Sequence, residues 1–177
     1  MEYIYNYKSP LGDITLASDG ISLTGLWFNE QKYFADSLEE KYEIKYLQIF
    51  DKTVSWLDIY FKGKIPDYTP KIRMKTSDFR KSVWEIMLTI PYGHIMTYGE
   101  IAKIIAKQKG LSRMSAQAIG NAVAHNSISL IIPCHRVVGA NGSLTGYAGG
   151  IDKKIKLLEL EKVDLSNFFV PHKIKAL

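Results

Sequence analysis

The sequence predicts a mixed α+β fold, a small strand-bearing part followed by a mostly helical one. Three observations carry that expectation. Over the first 28 positions three short strand-like runs are set off by the turn residues of Ser9 to Gly12 and Ser18 to Gly20, as an antiparallel meander requires. From Phe79 to Ala124 the apolar residues recur three and four apart, as in helices. The charge also changes sign: residues 1–75 carry 10 Lys/Arg against 11 Asp/Glu, a net of −1, whereas residues 76–177 carry 13 against 7, a net of +6. A boundary near Lys75 therefore separates an N-terminal supporting part, 1–75, from a basic C-terminal part, 76–177, suited to meeting a polyanion.

Bulk composition narrows the class. With 46% hydrophobic and 23% charged residues the chain can build a core, which excludes a disordered tail protein. The longest apolar stretches, such as Ile128 to Pro133, are too short to span a bilayer, so no membrane partner is expected. Met1 to Pro10 shows no basic region ahead of an apolar core, and no secretory signal is expected. A single cysteine forms neither an internal disulfide nor a multi-cysteine zinc site, which points to a reducing, cytoplasmic setting.

In the first part, Tyr3, Tyr5 and Tyr7 alternate with Ile4 and Asn6 in one strand. Ser9-Pro10-Leu11-Gly12 turns into a second, Ile14 to Ala17, and Ser18-Asp19-Gly20 into a third, Leu23 to Phe28. A three-stranded meander results. Asp51 is placed to cap a helix that carries Val54, Leu57 and Phe61 and stops at Gly63 and Pro66. Pro70 to Lys75 reads as an extended link. The acidic residues here are scattered solvated faces, and no catalytic constellation is visible.

The second part opens with a helix carrying Phe79, Val83, Ile86, Met87 and Ile90, ended by Pro91. Thr97 and Glu100 make a capping box for the next helix, with Ile101, Ile104 and Ile105, which runs to about Gly110. Ser115 caps a third, Ala116 to about Ala124. The last two form a helix-turn-helix pattern. Ser115, Ala116, Ala118, Gly120, Ala122 and Ala124 are all small, so this helix suits either close packing on a neighbour or entry into a narrow DNA groove.

Ile128 to Ile132 reads as a buried strand ended by Pro133, placing Cys134 at its open end. His135 and Arg136 bring positive charge that favours thiolate over thiol. Neighbours on a regular strand face opposite sides, so either the backbone bends after Pro133 or a water bridges thiol and imidazole. Asn126 sits where it can support this segment's backbone. A carboxylate behind the histidine completes the logic of a triad, and both Glu159 and Glu161 qualify, on a helix capped by Asp152 and carrying Ile155 and Leu158. Gly139 to Gly150, rich in glycine, reads as a mobile loop able to wall a pocket.

Ile132-Pro133-Cys134-His135-Arg136-Val137-Val138 resembles the active-site signature of the O6-alkylguanine-DNA alkyltransferases. Phe79 to Ile101, Ser115 to Asn126, Gly146 to Gly150 and Lys154 to Glu161 fall in that family's order and spacing, and Ser9 to Gly12 with Leu26-Trp27-Phe28 resemble its N-terminal domain. The resemblance spans nearly the whole chain. It implies an RNase H-like N-terminal α/β domain and a winged-helix-like C-terminal domain carrying the helix-turn-helix. It also implies direct DNA repair by a monomer: Cys134 takes the alkyl group from O6-alkylguanine, or O4-alkylthymine, in double-stranded DNA and keeps it, without metal or cofactor.

Residue roles follow from the same resemblance. His135 takes the thiol proton through a water, Glu161 rather than Glu159 orients it, Asn126 braces the turn, and Tyr98 donates to the leaving guanine. Val137 and the Tyr147, Ala148 and Gly149 loop read the flipped base. Ser115, Ala116, Gln117, Ala118, Gly120, Asn121 and Arg136 meet the DNA. Gln117 stands where many members have the arginine that fills the vacated stack, and the zinc ligands of some members are missing. Two rivals remain at this level: a non-enzymatic binder of alkylated DNA, whose relatives lack the cysteine, and a Cys-His hydrolase that turns over.

Overall fold

The computed structural model describes residues 1–171. Strands β1 (Glu2–Ser9), β2 (Gly12–Ser18) and β3 (Leu23–Phe28) form the expected meander. In the first turn the Ser9 hydroxyl donates to the Gly12 carbonyl at 2.6 Å, and Gly12 supplies a φ of 116° that a side chain would resist. In the second turn the Asp19 carboxylate accepts from the Ile21 and Ser22 amides. A fourth strand, β4 (Tyr42–Ile44), pairs parallel with β1, giving the order β3-β2-β1-β4. The sequence reading lacks it because its three residues are all exposed and carry no alternation.

Helix α1 (Gln48–Phe61) buries Ile49, Phe50, Thr53, Trp56, Leu57 and Tyr60 along one stripe. Its N-cap is Leu47, without a side-chain bond, so the expected cap at Asp51 is wrong. Asp51 lies inside the first turn, where its charge faces the positive helix end. The stop at Gly63 holds, with φ at 73°.

Helix α2 (Asp78–Met87) starts at Ser77 and ends three residues before the expected Ile90. Two residues of strand, β5 (Met96–Thr97), precede α3 (Tyr98–Gln108). The capping box is complete: the Glu100 amide donates to Thr97 Oγ1 at 3.1 Å and the Thr97 amide to Glu100 Oε2 at 2.7 Å. Ser115 caps α4 (Ala116–Ala124) as expected. Ile119, Ala122 and Val123 are the buried face of α4, and Trp84 Nε1 donates to the Ala122 carbonyl at 2.8 Å.

The expected strand Ile128 to Ile132 is absent. Ile128 makes one isolated parallel bridge to Leu26, Leu130 takes a φ of 70°, and short-range bonds such as Ile132 N–H to the Ile128 carbonyl at 3.0 Å coil the segment. Its hydrophobicity, interrupted only by the buried Ser129, reports burial between the two parts rather than a ladder, and run length alone does not separate these cases. Cys134–Arg136 then forms a single 3₁₀ turn, leading into β6 (Val137–Val138), which pairs parallel with β5. Helix α5 (Ile151–Leu160) is entered through Gly150, so Asp152 is inside the helix and is not its cap. One apolar cluster joins both parts, holding Leu26, Phe28 and Tyr60 with Val83, Ile101, Ile119, Ile128 and Leu157.

Candidate active site

Cys134 is the first residue of the 3₁₀ turn and only 4% exposed. Bending after Pro133, one of the two options sequence geometry allowed, is what the backbone does. Asn126 holds the approach to it from both ends, donating through Nδ2 to the Ile132 carbonyl at 2.8 Å and accepting from the Ile128 amide at 3.0 Å. Burial pushes the Cys134 thiol above its ordinary value, although the Asn126 side chain and the Lys154 charge pull the other way. The expectation of a thiolate held by His135 and Arg136 is therefore wrong. Burial pushes the His135 imidazole down, leaving it neutral near pH 7, and Arg136 is committed elsewhere.

Glu161, at the C-cap of α5, gathers the rest of the network. Its Oε2 accepts from His135 Nε2 and from the Tyr60 hydroxyl, the latter at 2.6 Å. Its Oε1 accepts from Arg136 Nε at 2.7 Å and the Gly93 amide at 3.0 Å. Burial opposes its charge, yet the hydrogen bonds from His135 and Arg136, with the Arg136 charge, hold its carboxyl down at about 2. With an ionised carboxylate on Nε2, the imidazole proton belongs on that nitrogen. Nδ1 is buried with no hydrogen-bond partner among the described residues, and is the ring atom left to take a proton. Glu159, the other candidate, is exposed on α5.

Arg136 is drawn into the same network. It is 9% exposed, its Nη1 donates to the Ile90 carbonyl at 2.7 Å, and its guanidinium pairs with Glu161. It braces the carboxylate from inside the fold, with its Nε and Nη1 both committed to partners within the chain.

Beside this network lies a pocket of about 520 Å³, within the range of small-ligand sites. Tyr98, Thr145, Gly146, Tyr147 and Ala148 form one wall, and Ala116, Gln117, Gly120, Asn121 and Ala124 of α4 the other. Lys154 Nζ donates both to the carbonyl of Val137, whose amide closes the Cys134 turn, and to the carbonyl of Thr145, so the turn lies close behind the first wall. Tyr98 donates to the Thr145 carbonyl at 2.9 Å, so its hydroxyl meets the loop here rather than open pocket. A Cβ on Gly146, whose φ is 72°, would come within 2.9 Å of that hydroxyl, so the loop passes here only as glycine. The Val137 carbonyl accepts from Lys154 Nζ at 2.6 Å, and the Ala148 carbonyl accepts from the Lys32 amide at 3.0 Å. Gly149 neighbours this wall without lining the pocket, and Ser115 and Ala118 flank the α4 wall. Around the helix pair, Lys103, Lys107, Lys109 and Arg113 are all exposed.

The model of the 6-O-methylguanine DNA methyltransferase DNA binding domain matches residues 78–163, and that of the same family's ribonuclease-like domain matches residues 3–69. The methylated-DNA–protein-cysteine methyltransferase of Mycobacterium bovis is 42% identical, over 87% of this chain and 88% of its own. The chain belongs to the 6-O-methylguanine DNA methyltransferase family. Its namesake from Methanosarcina acetivorans is 40% identical over 90% of this chain and 97% of its own. Among solved structures, the O6-methylguanine methyltransferase of Mycobacterium tuberculosis superposes with a TM-score of 0.76 at 41% identity, covering 92% of this chain and 93% of that one. The same organism's protein in complex with DNA also gives 0.76, at 40% identity over 90% and 92%.

For a methyltransferase of this family, sequence reasoning missed two members of the network. Tyr60 comes from the part judged to hold no catalytic constellation, and its only signal was a polar tip on the apolar stripe of α1. Lys154 is fully buried, donating to the Val137 and Thr145 carbonyls, and burial lowers it to about 8. Its position on the same helical face as Leu157 and Leu158 was the legible signal.

Proposed function

We propose that this chain repairs alkylated DNA by moving the alkyl group of O6-alkylguanine, with O4-alkylthymine as a second substrate, onto Cys134. The observation that carries this reading is a buried thiol beside a neutral, carboxylate-backed histidine, set behind a pocket whose outer wall is a helix of small residues. The target oxygen is inside a duplex, so the nucleotide rotates out into the pocket, at a cost of a few kcal/mol met by protein–DNA contacts. The α4 face of Ala116, Gln117, Gly120, Asn121 and Ala124, capped by Ser115 and backed by Ala118, enters the minor groove. Gln117 occupies the vacated stack without the charge of an arginine.

His135 Nδ1 receives the thiol proton through a water as sulfur attacks the alkyl carbon. The carbon–sulfur bond forms, the carbon–oxygen bond breaks, and the electron pair remains on the guanine oxygen. Glu161 stays ionised and steadies the imidazolium. Tyr98, turning from Thr145, donates to the base as charge develops there. Val137, Tyr147, Ala148 and Gly149 present backbone groups to the base edge. The thioether has no exit, so each monomer acts once, in a reducing cytoplasm. Residues 1–75 are the supporting domain and 76–177 the DNA-binding domain; residues 172–177 lie outside the described residues.

Incubation with duplex DNA carrying labelled O6-methylguanine, followed by peptide mapping, tests this. One methyl per molecule is expected on the peptide holding Cys134, and none in Cys134→Ser. Label left in the DNA supports a non-enzymatic binder, and transfer beyond one per molecule a turning-over hydrolase; either contradicts the assignment.

A further inference from the structure

Tyr60 ends the buried stripe of α1, and its hydroxyl reaches across the molecule to the carboxylate behind His135. It donates to Glu161 Oε2 at 2.6 Å and stands 3.3 Å from His135 Nε2. Its ring is stacked on Trp56, with centroids 5.3 Å apart and planes 8° apart, and meets the edges of Tyr92 and His135 at 6.2 and 6.3 Å. We propose that Tyr60 is a positioning residue for the alkyl transfer: by occupying Oε2 alongside His135, it holds the carboxylate, and through it the imidazole, in the geometry that accepts the thiol proton. This deepens the transfer to Cys134 and rests on that reading.

The four donors on Glu161 divide two to each oxygen, which fixes the rotation of the carboxylate about its own axis. Arg136 and Gly93 hold Oε1 from the second part of the chain, whereas Tyr60 is a donor from residues 1–75. Without its hydroxyl, Oε2 has His135 as its one remaining partner among the described residues. The negative charge then concentrates on that contact and favours imidazolium over imidazole. The other groups facing the pair do not compensate. The charges of Arg136 and Lys154 oppose protonation of His135 in parent and variant alike, and Tyr92 and Tyr147 are phenols raised by burial that stay neutral.

Tyr60→Phe keeps the ring and removes the donor. Its His135 titration, followed by nitrogen NMR on the DNA-free protein, is expected to move to higher pH than in the parent. Its single-turnover transfer rate near pH 6.5 is expected to fall about tenfold, the loss shrinking as pH rises, with DNA affinity unchanged. A 3-fluorotyrosine at position 60, a stronger donor of nearly the same shape, moves the titration the opposite way and keeps the test open if the phenylalanine variant does not fold. Tyr92→Phe, which removes a hydroxyl bonded to the Leu160 carbonyl at 3.2 Å, leaves the titration in place. A His135 titration that ignores both changes at position 60, or follows Tyr92→Phe equally, overturns the role. Failure of the parent to place label on Cys134 sinks the reaction instead, while the titration still decides what Tyr60 does.

Discussion

At the scale of single residues, the site separates three protonation states by environment. Burial raises the thiol of Cys134 and lowers the imidazole of His135, while Glu161 is held ionised by its donors. The last two make the fold sensitive to acid. Glu161 titrates at about 2 in the folded chain against an ordinary 4.5, so between those values the unfolded chain binds the extra proton and stability falls as pH falls. His135 adds to this from higher pH, because its folded value lies below the ordinary 6.5 and the unfolded chain is protonated first. Denaturation midpoints measured from pH 7 downward are expected to decline below about 6.5 and more steeply below about 4.5. A midpoint that stays level to pH 4 contradicts the arrangement. The residue types were legible in Cys134, His135, Asn126 and Glu161. The protonation was not, because sequence shows neighbours along the chain and not the burial that outweighs them.

At the scale of elements, local chemistry was readable wherever a bond closes within one turn. The Thr97–Glu100 box, the Ser115 cap and the Gly12 turn all stand where their residues required. Elements defined by distant partners were not readable: β4 exists because β1 offers it an edge, and the coil from Ile128 to Ile132 is shaped by Leu26 and by Asn126. Helix α4 offers the sharpest test at this level. A Cβ at Gly120 meets nothing within 4 Å, so the backbone itself leaves room for a side chain to start there. Gly120→Leu is expected to keep or raise stability, since leucine favours a helix by up to about 1 kcal/mol over glycine. The same change blocks close approach to the groove and is expected to weaken duplex binding at least about tenfold, as seen by fluorescence anisotropy. Full affinity in a stable Gly120→Leu variant rules this face out as the DNA surface.

At the scale of the whole molecule, the two parts are tied by a shared core and by the site. Leu26 hydrogen-bonds to both Ser127 and Ser129, and Tyr60 meets a carboxylate 101 positions away. Such contacts leave no trace in periodicity, which is why the first part read as a mere support. The family motifs made the order of the parts legible, and the +6 charge of residues 76–177 pointed to the face now ringed by Lys103, Lys107, Lys109 and Arg113. Both the core and the network surround the arrangement the proposed reaction needs, a buried sulfur whose proton is to be taken by His135. The pH dependence of single-turnover alkyl transfer reads that arrangement directly. The rate should rise through the titration of His135, below pH 6.5, and then stay level to about pH 8.5, with His135→Gln slower by about 10²–10⁴-fold. A rate that climbs steadily from pH 7 to 9 in the parent, and is untouched by His135→Gln, would show that sulfur loses its proton without that base.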